Sequence, residues 1–119
     1  MASYPDSWSS LHFPNVRWEL LEYLKDATDP KMLEDRHELK FLVHFIFDDH
    51  DFGPDANAMI GYALLDSEEA GLLNVFVRSL DTMIGPAGKP YPASFPNVPE
   101  VCAKAEAALH LLVSRGIPK

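Results

Sequence analysis

Apolar residues recur along the first part of the chain at the spacing of a helix. Leu20, Leu21 and Leu24 fall on one side of a helix predicted over 16–26. Asn15 precedes it and is a residue type that commonly caps a helix N-terminus. The segment before it, 1–12, has no such period, so we expect an N-terminal arm ordered by its aromatic side chains.

A second helix is predicted from Asp29 and Pro30 to about Asp49, because aspartate followed by proline is typical of a helix start. Its apolar part, Leu39 to Phe47, also alternates as a strand would. The helix is favoured because the 3.6-residue period extends upstream and the segment has only two β-branched residues. A helix would bear one titratable face opposite its core side, formed by Glu34, His37, Phe41, His44, Asp48 and Asp51.

Two further helices are predicted in the middle of the chain. Asp55 follows the breakers Gly53 and Pro54 and caps a short third helix over 56–65. Asp66, with Glu69 three residues later, resembles a capping box that starts a fourth. The fourth helix carries an apolar stripe at helical spacing: Leu72, Leu73, Phe76, Leu80, Met83 and Ile84.

The segment 85–99 contains five prolines and two glycines, which predicts an irregular, extended connection. Asn97 and Glu100 match a cap and its partner for a last helix that Gly116 can end. The expected fold is therefore all-α. It comprises an arm over 1–12 and a single domain over 13–119, with about five helices around a central apolar helix.

The composition of the chain excludes several classes of function. The 119 residues include 18 acidic and 10 basic side chains, a formal net charge of -8 that repels nucleic acid and anionic membranes. Cys102 is the only cysteine, which excludes an internal disulfide and a cysteine-based zinc site and fits a cytoplasmic protein. Nucleophile elbows and phosphate-binding loops are absent from the sequence, so a non-enzymatic role is favoured.

Acidic residues cluster after the apolar segment. Asp48, Asp49 and Asp51 fall at the C-terminal end of the predicted helix, where the helix dipole disfavours negative charge. This unfavourable placement indicates a binding role. We expect Asp48, Asp49, Asp51 and Asp55 to contact a basic protein partner, with Glu68 and Glu69 as supporting charge.

A metal site is the alternative hypothesis. His44 and Asp48 are four residues apart and Asp48 and Asp51 three apart, so these three side chains could bind one divalent ion in a hydrolase or metal sensor. No other cofactor is expected. A homodimer that completes the apolar faces is a third possibility.

The order of motifs resembles a family of small bacterial proteins of uncharacterised function. The similarity spans most of 13–113, and its most specific part is a His-Phe-x-Phe-Asp-Asp element at 44–49. The resemblance implies a small, mostly helical cytoplasmic protein, with relatives considered as immunity-type or accessory proteins. It carries no catalytic residues. The immunity-type inhibitor is therefore our specific expectation.

Overall fold

The computed structural model describes residues 4–118, which contain five α-helices and no strand. An isolated bridge between Ile60 and Leu64 is the one sheet-like contact in that range. The predictions of an all-α fold, and of helix rather than strand over Leu39 to Phe47, are confirmed. The helices are α1 (Pro14–Ala27), α2 (Pro30–Glu34), α3 (Arg36–Val43), α4 (Ser67–Ile84) and α5 (Val98–Ser114).

Helix α5 occupies the centre of the packing. It lies against α4 on one side and α1 on another, and it also contacts α2. Ala105 and Ala108 of α5 are fully buried, and such small side chains let neighbouring helices approach closely. The core that they share with α1 and α4 is fully buried at Leu20, Leu24, Leu73, Phe76 and Leu80.

The arm predicted over 1–12 is anchored to the helices by its buried residues Trp8 and Leu11; its first three residues lie outside the described range. Trp8 is 1% exposed and stacks on Tyr4 with ring centroids 5.5 Å apart. The Ser7 hydroxyl donates to the backbone carbonyl of Arg115 at 2.6 Å. Aromatic burial thus orders this segment.

Helix α1 matches its prediction, but the predicted cap is wrong. Phe13 is the capping residue, Pro14 takes the first helical position, and Asn15 lies inside the helix. Proline fits there because its fixed φ suits the first turn and its missing N–H would have had no helical partner.

The predicted second helix begins where expected, since the Asp29 carboxylate accepts from the Lys31 N–H at 2.9 Å. It is not continuous as predicted. Asp35 adopts an extended conformation, and its carboxylate accepts from the N–H groups of His37 (3.0 Å) and Glu38 (3.2 Å). An aspartate that caps a new helix competes with continuation of the old one, so Asp35 divides the segment into α2 and α3.

The last part of that segment is a π-helix over His44–Asp49, continuous with α3. Its hydrogen bonds span five residues instead of four, a geometry that is rare and frequent at functional sites. Phe45 and Ile46 are buried while His44 and Asp48 are exposed. The predicted separation of core and titratable sides therefore survives the change in helix type.

The prediction of a third helix over 56–65 is wrong, because only a single 3₁₀ turn forms there, at Ala56–Met59. Gly61 has a φ of +85°, a conformation that interrupts a right-handed helix. Its carbonyl accepts from the backbone N–H of His12 at 2.9 Å. The carbonyl of Tyr62 accepts from Phe13 in the same way, so two carbonyls of this segment bond to the N-terminal segment instead of to a helical ladder.

Helix α4 starts at the predicted cap. The Asp66 carboxylate accepts from the Glu69 N–H at 3.1 Å, as a capping box requires. In a capping box the glutamate would also accept from the N–H of the cap residue. Here the Glu69 carboxylate accepts instead from the N–H of Leu65, at 2.8 Å.

The proline-rich connection between α4 and α5 is irregular, as predicted, and is fixed to the domain by Arg36. The guanidinium donates to the carbonyls of Pro92 (2.6 Å) and Ala93 (3.1 Å). It also lies 4.6 Å from the centroid of the Phe95 ring. One arginine from α3 therefore holds three points of the connection.

Helix α5 begins at Val98, but Asn97 does not accept a capping bond through its side chain. Its amide instead donates to the carbonyl of Ser79 at 3.0 Å and to Glu100 at 3.4 Å. Asn97, which was predicted as a cap, therefore links the start of α5 to α4 by a hydrogen bond.

Candidate functional site: an acidic turn and an adjoining groove

The segment 44–51, called here the acidic turn, carries three of the predicted contact residues on its surface. The side chains of Asp48 and Asp49 are 64% and 52% exposed, and Asp51 is exposed as well. His44 lies between two of them, with Nδ1 2.8 Å from Asp48 Oδ2 and Nε2 3.4 Å from Asp49 Oδ1. The two ring nitrogens of His44 therefore face two different carboxylates of the acidic turn.

Aromatic packing holds the acidic turn in place. Phe45 and Phe52 are buried, with ring centroids 5.7 Å apart. His50 meets the ring of Phe45 edge-on at 4.9 Å, and its Nδ1 lies 3.4 Å from the Tyr62 hydroxyl. The carboxylates are therefore displayed on a fixed backbone.

Asp55 is exposed, but one of its oxygens is occupied within the protein. Oδ1 accepts from the backbone N–H of Asn57 (3.0 Å), from the Asn57 amide (2.8 Å) and from the Asn74 amide (3.1 Å). These hydrogen bonds, led by the backbone bond from Asn57, hold the pKa of Asp55 below its usual value. Asp55 keeps its negative charge while serving as a cap.

Glu69 does not belong to any exposed surface, so its expected role as supporting charge is wrong. Its side chain is fully buried and accepts two hydrogen bonds from Arg17, at 2.7 and 2.9 Å. Arg115 adds a contact to Glu69 at 3.0 Å and binds Asp66 at 2.8 Å. The predicted surface carboxylate is the centre of a buried ion network.

Glu68 remains 66% exposed, but it is paired with Arg115 at 2.6 Å. Its charge is therefore compensated by an arginine, whereas the carboxylates of the acidic turn contact only His44 among the basic side chains of residues 4–118.

Arg17 is a residue whose role the sequence reasoning missed. It lies 5.1 Å from the centroid of the Trp8 ring and also donates to the carbonyl of Ala63 at 3.2 Å. A signal was present, since Arg17 precedes Leu20, Leu21 and Leu24 by three, four and seven residues and so falls on their apolar stripe. A charge on a core stripe indicates a buried partner.

A groove of about 680 Å³, called here the acidic–aromatic groove, lies beside the acidic turn and shares Phe45 and Asp49 with it. Its volume is within the range of roughly 300–1,000 Å³ that is usual for ligand sites. Tyr23 and Phe45 pack with ring centroids 4.6 Å apart, and Trp18 and the 47% exposed Phe41 complete the aromatic lining. The groove therefore offers aromatic surface from both α1 and α3.

Every charged side chain that lines this groove is a carboxylate: Glu19, Glu22, Asp26, Glu38 and Asp49. Within residues 4–118, none of these five forms an ion pair with lysine, arginine or histidine except Asp49, which faces His44. Burial, followed by the negative charges of four of these carboxylates, raises the pKa of the Tyr23 hydroxyl. The groove is thus a region of negative potential with an aromatic lining.

Three other grooves contain basic residues. One of about 400 Å³ is lined by Arg78 and Asp81 among others, and one of about 350 Å³ includes Lys89 and Asp81. A third, also of about 350 Å³, is lined by Arg78, Lys104 and Glu100 among others. Their charges are mixed, so they lack the single sign of the acidic–aromatic groove.

The residues of the metal hypothesis do not converge in the described structure. His44 contacts Asp48 and Asp49, while Asp51 is not within ion-pair distance of it. Over residues 4–118, no three His, Cys, Asp or Glu side chains are arranged to hold a metal ion.

Comparisons with family models, with curated proteins and with solved structures give no match to this chain. In the part of the chain that the structure describes, no helix has the length and apolar character needed to cross a membrane.

Proposed function

We propose that this protein is a non-enzymatic acidic binding protein of the immunity or inhibitor type, and that its partner is a basic protein. The observation that carries the proposal is a contrast between two acidic clusters. Asp66, Glu68 and Glu69 are neutralised by arginines of the same chain. Within residues 4–118, no lysine or arginine pairs with the carboxylates of the acidic turn, which leaves that charge available to a partner.

The net charge of -8 supports the same conclusion. An uncompensated acidic surface attracts basic proteins over about one Debye length, roughly 8 Å at physiological salt. Complementary charge speeds encounter and suppresses binding of acidic partners. An inhibitor that must reach its target quickly benefits from both effects.

Rigidity also favours a binding role. The packing of Phe45, Phe52 and His50 fixes the backbone that displays Asp48 and Asp49. A surface that is ordered before binding loses less conformational entropy when the partner docks. A cytoplasmic location is part of the proposal, because a single half-buried cysteine suits a reducing compartment.

The test is capture of the tagged protein's partners from its own host, with elution at rising salt and identification by mass spectrometry. The variant Asp48→Lys/Asp51→Lys reverses two charges of the acidic turn. The matched control, Asp6→Lys/Glu106→Lys, makes the same change at two exposed acids on other elements.

We expect a basic protein that elutes only at high salt, whose affinity falls at least about tenfold in the acidic-turn variant and little in the control. Equal affinities for both variants, with folding unchanged by circular dichroism, would contradict the assignment.

A further inference from the structure

We propose that the acidic–aromatic groove between α1 and α3 is the receptor for an arginine side chain of the basic partner. The inference rests on the proposed function, because the arginine is presented by the protein that the acidic turn attracts. It adds a second site with a different chemistry, in which aromatic faces and carboxylates act together.

Aromatic surface is the first requirement that the groove meets. A guanidinium is planar and weakly hydrated, and it stacks on aromatic faces more readily than an ammonium does. Trp18 and Tyr23 are half-buried and Phe41 is exposed, so their rings are accessible to a ligand in the groove.

Charge is the second requirement. Among residues 4–118, five carboxylates and no basic side chain line the groove, so none of these residues repels an entering cation. A guanidinium has five N–H donors in a fixed arrangement and can bind more than one carboxylate while it stacks. A bare divalent ion would instead seek converging oxygens, which the described residues do not provide.

The protein itself uses this type of contact twice. Arg17 lies 5.1 Å from the ring centroid of Trp8 while binding Glu69, and Arg36 lies 4.6 Å from that of Phe95. The first of these combines an aromatic face with a carboxylate, as we propose for the groove. The groove has the aromatic faces and the carboxylates, and we propose that the partner supplies the guanidinium.

Continuity with the acidic turn fixes the source of the arginine. The exposed Asp49 belongs to the acidic turn and also lines the groove, so a protein docked on the turn lies beside the groove. A partner side chain is therefore a better occupant than a free small molecule.

The test compares two capped peptides of equal charge, Gly-Arg-Gly and Gly-Lys-Gly, titrated at low salt into the full chain. Binding to the unmodified chain is followed by the NMR signals of the two tryptophan indoles, and binding to the variants by the backbone amide signals of Glu19 and Phe41, which also line the groove. Trp18 lines the groove, while Trp8 is buried elsewhere and serves as an internal reference.

We expect the arginine peptide to shift the Trp18 signal, with an affinity about fivefold above that of the lysine peptide, and to leave Trp8 unchanged. Trp18→Leu keeps the charge of the groove and should abolish the preference for arginine. Glu22→Gln removes one negative charge from the groove and should weaken the binding of both peptides, whereas the control Glu106→Gln should weaken the binding of neither. Equal binding of the two peptides, or no shift at Trp18, would overturn the inference.

The captured partner separates this inference from the proposed function. If the partner loses affinity for Asp48→Lys/Asp51→Lys but binds Trp18→Leu as it binds the unmodified protein, the proposed function stands and the arginine receptor is wrong. If only Trp18→Leu loses affinity, the groove is supported and the acidic turn is wrong as the main contact.

Discussion

Arg17 and Glu69 form an ion pair in which both side chains are fully buried and two guanidinium nitrogens contact two carboxylate oxygens, at 2.7 and 2.9 Å. The pair joins α1 to α4 across the core. Arg115, which follows α5, contacts the same carboxylate, so three helices meet at one charged group.

Removing one member of this pair should destabilise the protein strongly. We expect Glu69→Gln or Arg17→Met to lower the free energy of unfolding by about 3 to 5 kcal/mol, because each leaves a buried group without its partner. Urea denaturation at neutral pH measures the loss.

The double variant Arg17→Met/Glu69→Gln provides the control, since it removes both charges. Its loss should be clearly smaller than the sum of the two single losses. Losses that simply add would show that the two side chains contribute independently.

Asp66 should make stability depend on acid pH. The N–H of Glu69, and then Arg115, hold the pKa of Asp66 below its usual value. A carboxyl group with a depressed folded-state pKa stabilises the protein above its unfolded-state pKa, about 3.9, and this contribution is lost as the pH falls through the folded-state value.

The measurement is the urea midpoint of the unmodified protein and of Asp66→Asn between pH 7 and pH 2. The unmodified protein should be more stable by a constant difference from pH 7 to about pH 5, and the difference should shrink below about pH 4. A difference that stays constant down to pH 2 would exclude Asp66 as a source of acid sensitivity.

The structure also predicts whether the purified protein retains a metal ion. Tag-free protein dialysed against Mn²⁺ or Zn²⁺ should retain no stoichiometric metal, because Asp51 does not join His44 and Asp48. Elemental analysis of the dialysed protein measures this. One ion per chain, lost in His44→Ala, would instead favour the hydrolase or sensor hypothesis.

Local patterns predicted the helices well where the relevant signal lies within a few residues. The starts at Asp29 and Asp66 are examples, since each carboxylate caps a backbone N–H two or three residues ahead. Asp35 is a capping aspartate of the same kind, but the apolar period around it favoured one continuous helix in the prediction. The prediction of the third helix was wrong because the carbonyl of Gly61 accepts from the N–H of His12, a contact that depends on how distant segments pack.

The exposed carboxylates of the acidic turn were predicted from the sequence, whereas the groove beside them was not. Glu19, Glu22 and Asp26 recur at spacings of three and four, so one acidic face of α1 was visible in advance. The opposite wall comes from α3, and the sequence does not show that these two helices flank one cavity. A site built from two distant segments needs their packing before it can be recognised.

The arginine that fastens the proline-rich connection has a practical consequence for engineering. Arg36 holds Pro92, Ala93 and Phe95, so the exposed tip at 86–90 is separated from the start of α5 by a fixed stretch of chain. Exposed loop tips tolerate inserted sequence best. An epitope or a fluorophore placed there would report on the protein in cells while the helices on either side keep their register.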